Sequence, residues 1–542
     1  MLCGLMLFVV ACGYRVSRTG PGRVEVEVRV DGSRSAGELD HAWEYITGSG
    51  NAALYIRPGW NDRILAHLKD VHDHLGIQTV RFHGIFLDEV GVYQGPGRYN
   101  FANVDKIYDA ILATGVKPFV ELSFMPEALA ACDKHGFPRG YRPNICPPAN
   151  YEEWGRMIEA FARHVEERYG AAEVRTWQFE VWNEPNLAVF WGGSKEDYFQ
   201  LYRVTASALK AVDPELKVGG PATSAAADPW IWDLASFCRD NQLPLDFITT
   251  HGYSNERLRP FLQDTRAAGL DPVIVPEQGF YYNELRLIRQ ILTATPYPAA
   301  PVYLTEWNSS VAYSYKMNLW PNDHDLPNDA AYMCAGVKKA NGYSQGFSHW
   351  THSDVFEEWG LPGEQWPVKN AAFHGGFGLI TIDGIHKPSY HAFAFLHRMG
   401  RNLLDPQITA AAGAGVDALV TLDNGELRAL VWNHLDTIKQ QRASGPLVKA
   451  TITFVNLPES ARNKTLHAFR IDVDHGNPFA EWLDMGQPGQ LSTEQADRLK
   501  KLSDNTLADP GLQAIISGPE LSLDFELPPA AVVFFTTDKE GL

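Results

Sequence analysis

A repeating order of short apolar strands and amphipathic helices is the feature that most restricts the fold of this 542-residue chain. Eight such units follow one another over about 360 residues, and eight parallel strands joined by helices close into a (β/α)8 barrel. The strand patterns lie near residues 41–48, 79–86, 116–124, 176–184, 216–223, 245–253, 302–310 and 346–356. Helical patterns between them include Asn61–Leu75, Val104–Ala113, Tyr151–Tyr169, Glu196–Val212 and Asn328–Ala340, and Tyr390–Met399 follows the eighth strand. Residues 37–403 are therefore predicted to form a TIM barrel of the α/β class.

A doubly wound parallel sheet is the alternative arrangement of the same units. That fold commonly carries a glycine-rich phosphate loop directly after its first strand. The segment Gly48–Gly50, GSG, is too short a motif to mark such a loop. The barrel is therefore favoured.

The helical rhythm stops near Leu404, and strand patterns follow it to the end of the chain. The strand-like segments are ALVTL, LRALVWN, ATITFVNL, LHAFRIDV, LSLDFEL and AAVVFFTT, and Asn424–Gly425 is a hairpin signal. We predict a β-sandwich over residues 404–542. The early segment VEVEVRV alternates perfectly but has no place in the barrel. Residues 24–36 are therefore expected to join the β-sandwich.

The first residues resemble a bacterial lipoprotein signal. The segment MLCGLMLFVVACGYRVSRTG is apolar but too short to span a bilayer. Ala11 precedes Cys12, where cleavage and lipidation would occur, although no Lys or Arg precedes the apolar run. We predict that residues 1–20 direct export to the periplasm or to a lipid anchor, the one expected contact with a membrane. A cytoplasmic protein is the alternative.

Residue counts argue against two classes of partner. The net charge of −18 disfavours nucleic acid, because like charges repel. Six cysteines show no C-x-x-C spacing, which argues against a zinc site. Cys132 and Cys146 bracket one loop and would form a disulfide in an exported protein, with two independent thiols as the alternative.

Two glutamates lie at the ends of predicted barrel strands, where such barrels place their catalytic groups. Glu184 ends the fourth strand in FEVWNEPNL, and Glu306 ends the seventh in LTEWNSS. Glycoside hydrolysis with retention needs one carboxylic acid to protonate the leaving oxygen and one carboxylate to attack the anomeric carbon. Two nearby acids separate their titrations, since the charge of one raises the pKa of the other. A helix cap or an ion pair with Arg81 is the alternative for either residue alone.

Glu180 lies four residues before Glu184 on the same side of the fourth strand. This places it deeper in the barrel, so we expect a buried structural acid paired with Arg81.

The two glutamate motifs resemble those of the large clan of retaining glycosidases built on (β/α)8 barrels. More narrowly, the chain resembles glycoside hydrolase family 39 and its bacterial β-xylosidases over about residues 24–537. The segments that carry this resemblance are RFHGIFLDEVGVY, VKPFVELSFMPEALA, NYEEWGRMIEAFARHVEERYG, ELKVGGPAT, HWTHSDVFEE, FHGGFGLI and DVDHGNPFAEWLDMGQP.

The resemblance implies a retaining exo-glycosidase that hydrolyses β-1,4-xylosidic bonds at the non-reducing ends of xylo-oligosaccharides. Glu184 would be the general acid/base and Glu306 the nucleophile. No metal or organic cofactor is expected, because two carboxylates and water suffice. Asn183 would bind the sugar 2-OH, Tyr253 would hold Glu306, and Trp350 would form the floor of the sugar site. The full set of implied substrate-binding residues is His83, Asn183, His251, Tyr253, Trp350, Glu357 and Glu358.

Two other functions remain alternatives. One is a glycosidase for another sugar, either α-L-iduronidase-like or arabinose-directed. A uronic-acid substrate would need cations, whereas the implied pocket residues are mostly neutral or acidic. The other is a non-catalytic carbohydrate-binding barrel, which would have no reason to keep an acid pair.

Overall fold

A computed structural model of the chain describes residues 23–137, 141–224, 228–253, 280–309, 323–356, 372–410, 415–434 and 447–538. Two N-terminal strands, β1 (Arg23–Asp31) and β2 (Ser35–Glu38), precede a closed barrel of parallel strands. The barrel strands are β3 (Ile46–Asn51), β4 (Thr79–His83), β5 (Lys117–Leu122), β6 (Gln178–Val181), β7 (Lys217–Thr223), β8 (Phe247–Tyr253), β9 (Val302–Asn308) and β10 (Gly346–His349). The predicted eight-stranded barrel is confirmed.

Helices alternate with the barrel strands along the chain. They are α1 (Asn61–Leu75), α2 (Ala102–Ala113), α3 (Tyr151–Tyr169), α4 (Ala171–Val174), α5 (Lys195–Val212), α6 (Asp228–Asp240), α7 (Phe280–Thr293), α8 (Pro327–Ala340) and α9 (Pro388–His397). Cap residues account for clear starts: Asn150 caps α3, and Ser194 forms a capping box with Asp197 in α5. Within the described residues, none of the helices combines the length and apolar content needed to cross a bilayer.

The barrel strands lie where they were predicted, and two of them differ most from their predicted bounds. The first begins at Ile46, because residues 42–44 form a 3-10 turn that buries Trp43. The eighth ends at His349, and the chain continues through a loop whose residues are buried like those of a strand. A run of buried residues has the same sequence pattern in both conformations, so the pattern does not separate them.

The barrel interior changes from apolar to charged along its axis. A small buried cluster of Ile46, Phe119, Phe247 and Tyr303 fills the end at which the strands begin. Further along the same strands lie buried charged groups, among them Arg81. The apolar cluster closes one end, so the polar groups face the carboxyl ends of the strands.

The C-terminal strands build two sheets together with the N-terminal strands. They are β11 (Asn402–Leu404), β12 (Gln407–Ala410), β13 (Val416–Asp423), β14 (Glu426–Asn433), β15 (Leu447–Val455), β16 (Thr465–Ile471), β17 (Ala514–Ile515), β18 (Leu521–Leu527) and β19 (Val532–Thr536). One sheet has the order β12-β1-β15-β18, and the other has the order β17-β16-β19-β14-β13-β11-β2. Asn424 and Gly425 turn between β13 and β14 with φ of 51° and 82°, as a tight hairpin turn requires.

Strand β1 lies between β12, with which it is antiparallel, and β15, with which it is parallel. Val26, Val28 and Val30 are buried, whereas Glu27 and Arg29 between them are exposed. The alternating sequence therefore gives the strand one face in the sandwich core and one face in solvent.

The sequence did not predict β2 or two helices between β16 and β17. These helices are α10 (Pro478–Asp484) and α11 (Thr493–Asn505), which begins with a capping box between Ser492 and Gln495. Their buried residues Phe479, Trp482 and Leu499 form a small core with residues just before α9. The helices are short and mostly polar, so their apolar pattern is weak.

His386 joins α1 of the barrel to α11. Its Nε2 lies 3.1 Å from Asp70 Oδ2, its Nδ1 lies 2.9 Å from Asp504 Oδ1, and its ring stacks on Tyr390 with centroids 3.7 Å apart. Burial alone would lower the pKa of His386, but the two carboxylates outweigh it and raise the pKa to about 9. The neighbouring His67 and His391 are themselves kept neutral by burial, which lowers their pKa to about 3.

This bridge predicts a loss of stability at alkaline pH. Because the folded-state pKa of His386, about 9, exceeds the ordinary value of 6.5, the bridge stabilises the fold fully below about pH 6.5. That contribution is lost as the pH rises through 9. Between pH 6.5 and 10, urea unfolding should show the free energy of unfolding of the wild type falling by on the order of 2 kcal/mol more than that of His386→Gln. A His467→Gln control on β16, where the ring contacts Gln513, should keep the wild-type pH dependence. The same pH dependence of the free energy of unfolding in all three proteins would contradict the assignment.

Candidate active site

Glu184 and Glu306 meet at the carboxyl end of the barrel. Glu184 follows β6, Glu306 lies within β9, and their side chains are only 8% and 6% exposed. One carboxylate oxygen of each residue and a ring nitrogen of His251 lie within 4.8 Å of one another. Retaining hydrolysis uses carboxyl groups about 5–5.5 Å apart, whereas inversion needs about 6.5–9.5 Å. The pair therefore has the close spacing that suits a double displacement.

The backbone after β6 turns sharply to present Glu184. Trp182 and Glu184 have φ of 72° and 42°, a left-handed conformation that is uncommon for residues other than glycine. The turn is held by a hydrogen bond from Glu184 N to Ala222 O, of 2.9 Å, and by one from Trp182 Nε1 to Phe190 O, of 2.8 Å. Strained backbone of this kind is found where a side chain must be aimed.

Arg81 on β4 is the centre of the buried polar groups. Its guanidinium donates to Glu306 Oε1 at 2.8 Å and to Glu180 Oε2 at 2.6 Å. It also donates to Asn183 Oδ1 at 2.7 Å and lies 2.9 Å from Glu121 Oε2. Burial alone would lower the pKa of Arg81, but the surrounding carboxylates outweigh it and raise the pKa. The predicted pairing of Glu180 with Arg81 is confirmed.

Glu306 is held from both of its oxygens. Arg81 contacts Oε1, and the hydroxyl of Tyr253 donates to Oε2 at 2.8 Å. Two donors on opposite oxygens fix the plane of the carboxylate. The structure therefore orients Glu306 as a base or nucleophile.

Glu184 has a different neighbour. Nδ1 of His251, a fully buried residue on β8, lies 2.9 Å from Glu184 Oε1 and 3.5 Å from Glu306 Oε2. Burial, with the charges of Arg81 and His83, lowers the pKa of His251 well below its usual value, so the ring is neutral. The neutral ring therefore adds no positive charge next to Glu184.

His83 is fixed by a carboxylate that the sequence analysis did not single out. Its Nδ1 lies 2.7 Å from Glu121 Oε2, and its Nε2 lies 3.9 Å from Glu306 Oε1. Burial alone would lower the pKa of His83, but Glu121 outweighs it and raises the pKa. One signal could have revealed Glu121: it lies two residues after Phe119 on the same inward side of β5.

Trp350 lies directly after β10, beside these groups. Its ring centroid is 4.9 Å from that of His83, and its carbonyl accepts a 2.6 Å hydrogen bond from Asn308 Nδ2. The structure thus brings together seven of the predicted residues: His83, Asn183, Glu184, His251, Tyr253, Glu306 and Trp350. Glu357 and Glu358 lie outside the described residues.

Two groups of side chains within the described residues bring metal-ligating atoms together. The first is the set Glu184, His251 and Glu306, whose oxygens already accept hydrogen bonds as given above. In the second, which is largely exposed, the two ring nitrogens of His135 lie 2.7 Å from Glu127 Oε1 and 3.3 Å from Asp133 Oδ1. Hydrogen bonds account for both groups, so neither is assigned to a metal.

A disulfide between Cys132 and Cys146 closes the loop after β5. This loop contacts the segment that follows Glu184, since Gly192 N donates to Ile145 O at 2.8 Å. The bridge stiffens a loop that supports the Glu184 segment, and it fits the paired alternative of the sequence analysis.

Comparisons with known proteins agree with this geometry. The family model described as glycosyl hydrolases family 39 matches residues 26–515. A β-xylosidase of Caldicellulosiruptor saccharolyticus is 36% identical, over 94% of this chain and 98% of its own length. One of Geobacillus stearothermophilus is 33% identical, over 86% and 87%. The crystal structure of a monomeric β-xylosidase from Caulobacter crescentus CB15 superposes with a TM-score of 0.77 at 31% identity, covering 94% of this chain and 99% of that one.

The pairing of His83 with Glu121 predicts a change in titration. In Glu121→Gln, burial and Arg81 still lower the pKa of His83 and only the more distant Glu306 still raises it, so the pKa should fall. NMR of protein labelled at histidine would follow the ring signals between pH 5 and 9. His251 serves as the internal control and should stay neutral in both proteins. A His83 titration that is unchanged in the variant would contradict the assignment.

Proposed function

Since the chain belongs to glycosyl hydrolases family 39, we propose that this glycoside hydrolase is a retaining β-xylosidase that releases xylose from the non-reducing ends of xylo-oligosaccharides. The two bacterial β-xylosidases that match most of the chain support this substrate. The observation that carries the mechanism is the close pairing of Glu184 with Glu306, whose environments differ. A protein that only binds carbohydrate would need neither two adjacent carboxyl groups nor different surroundings for them.

Glu306 is the nucleophile in the first step. Arg81 and Tyr253 orient its carboxylate, so Oε1 or Oε2 can attack the anomeric carbon. Glu184 gives its proton to the departing glycosidic oxygen as that bond breaks. The products are a xylosyl ester on Glu306 and the released alcohol.

Glu184 acts as the base in the second step. It takes a proton from water as the water attacks the anomeric carbon and Glu306 departs. His251, which resemblance assigns to a sugar hydroxyl, is buried and contacts both carboxylates. We assign it the task of orienting Glu184 without fixing its charge.

We assign binding of the sugar to three residues. The side-chain oxygen of Asn183 is committed to Arg81, so its NH2 group is the one that donates to the 2-OH. His83 directs Nε2 toward the pocket, because its Nδ1 contacts Glu121. Trp350 offers an aromatic face next to His83 for the apolar side of the ring.

Replacing each glutamate should give a different kinetic result with aryl β-xylosides. Glu306→Ala should be nearly inert toward every leaving group, because the nucleophile is lost. Glu184→Ala should still react with a dinitrophenyl xyloside, which needs no proton, and should show a burst as the ester accumulates. Poor leaving groups should react about 10²–10⁴-fold more slowly. Azide should speed turnover of Glu184→Ala and give β-xylosyl azide, as measured by stopped-flow absorbance and NMR of the product.

An exposed carboxylate provides the control for these variants. Glu89→Ala, at a side chain 55% exposed, should keep the wild-type rates. Equal slowing of good and poor leaving groups by Glu184→Ala, with no azide adduct, would show that Glu184 is not the acid/base. Absence of turnover of every aryl xyloside by the wild type would refute the proposed substrate.

We also propose that the protein is exported, through the lipoprotein-like segment that ends at Cys12. The Cys132–Cys146 disulfide supports an oxidising compartment, because cytosolic thiols are kept reduced.

Export predicts a processed N-terminus. Mass spectrometry of protein from its native cells should find a mature chain that begins at Cys12 and carries lipid. Cys12→Ser is the matched variant and should lose the lipid while keeping the xylosidase activity. An intact Met1 on protein from the soluble cytoplasm would refute the proposal.

A further inference from the structure

A buried ion triad, made of Lys387, Asp325 and Asp354, lies behind one side of the pocket. Lys387 Nζ is 2.7 Å from Asp325 Oδ1 and 2.7 Å from Asp354 Oδ2, and all three side chains are 0% exposed. Lys387 precedes α9, Asp354 lies in the loop after β10, and Asp325 ends a 3-10 turn before α8. The proposed chemistry uses none of the three.

Stability alone does not account for such a triad. Each buried ion loses several kcal/mol of hydration, and apolar groups of similar volume often stabilise a fold as well. Burial alone would lower the pKa of Lys387, but Asp325 and Asp354 outweigh it and keep the ammonium charged. A charged set is therefore expected to hold a particular arrangement.

Each member of the triad makes a hydrogen bond to one peptide group in the segment 375–378. Lys387 Nζ donates to Gly376 O at 2.9 Å. Gly375 N donates to Asp325 Oδ2 at 2.8 Å, and Gly378 N donates to Asp354 Oδ1 at 2.8 Å. A Cβ at Gly378 would lie 2.2 Å from the backbone nitrogen of Asp354, so these two backbone segments lie too close together for a side chain at position 378. These three hydrogen bonds hold the residues on both sides of Phe377, the remaining residue of the segment.

Phe377 connects the triad to the pocket. Its ring lies 6.4 Å from that of Tyr253, which bonds Glu306, and the two share a buried cluster with Trp350 and Phe356. Its carbonyl accepts from Asn308 Nδ2 at 3.4 Å, and the same amide donates to Trp350 O at 2.6 Å. The segment therefore touches both the residue that orients Glu306 and the residue placed under the sugar.

We propose that Lys387 is a positioning residue, which holds Phe377 so that Tyr253 and Trp350 keep their places in the sugar site. The effect of Lys387 on catalysis rests on the proposed function, in which Trp350 binds xylose and Tyr253 orients the nucleophile. The effect of Lys387 on the local structure is independent of that function.

Hydrogen exchange tests the structural half of the proposal. In Lys387→Met and in the near-isosteric Asp354→Asn, amides in 346–356 and 372–380 should exchange at least about 10-fold faster at 25 °C, while those in α3 keep the wild-type rate. Lys338→Met, which removes the partly buried ion pair with Asp417, is the control and should leave these segments unchanged. Should Lys387→Met fail to fold, Asp354→Asn decides, since its amide oxygen still accepts from Gly378 N.

Trapping by a 2-deoxy-2-fluoro-β-xyloside with a good leaving group tests the functional half. The folded variants should bind the reagent about 10-fold more weakly and form the ester about 10-fold more slowly, whereas Lys338→Met should match the wild type. Exchange rates and trapping constants within twofold of wild type in folded Asp354→Asn would overturn the proposal. If the reagent does not trap the wild type, the xylosidase proposal fails. Hydrogen exchange then still tests whether Lys387 holds the local structure.

Discussion

The candidate site depends on one buried guanidinium, that of Arg81. A desolvated cation must be matched by carboxylates, and a barrel interior offers places for them only on neighbouring inward positions. Glu121, Glu180 and Glu306 supply that charge from three different strands. Because the guanidinium is planar and its donors point in fixed directions, these contacts also fix the relative positions of the strands. The apolar cluster of Ile46, Phe119, Phe247 and Tyr303 fills the opposite end of the barrel, so the charged layer is confined to the carboxyl ends of the strands.

The two glutamates of the candidate site differ because their surroundings differ in charge. Glu306 shares Arg81 with other acids and accepts from Tyr253, whereas Glu184 faces a histidine that burial keeps neutral. The proposed division of roles between them rests on this difference in surroundings, rather than on the two side chains themselves.

Local periodicity predicted much of this fold and less of the site. The barrel and the bounds of α1 and α3 were predictable, because a strand–helix rhythm repeats and helical spacing is strong in those segments. Helices α10 and α11 were not, since a mostly polar segment has little apolar pattern. At the site, Glu184, Glu306 and the Glu180–Arg81 pair followed from strand ends and parity. Glu121 did not, because its partners His83 and Arg81 lie on a neighbouring strand and meet it only after the barrel closes.

The position of β1 sets an order of events during synthesis. This strand emerges early, but its parallel partner β15 begins more than 400 residues later. At about 5–20 residues per second, the ribosome needs on the order of 20–80 seconds to supply that partner. Throughout this interval a valine-rich edge would be open to wrong pairing with other chains. The alternating Glu25, Glu27 and Arg29 serve as gatekeepers, since they keep one face of the waiting strand charged. All eight barrel strands are synthesised before β15, so the strands of the barrel are available before the sandwich can be completed.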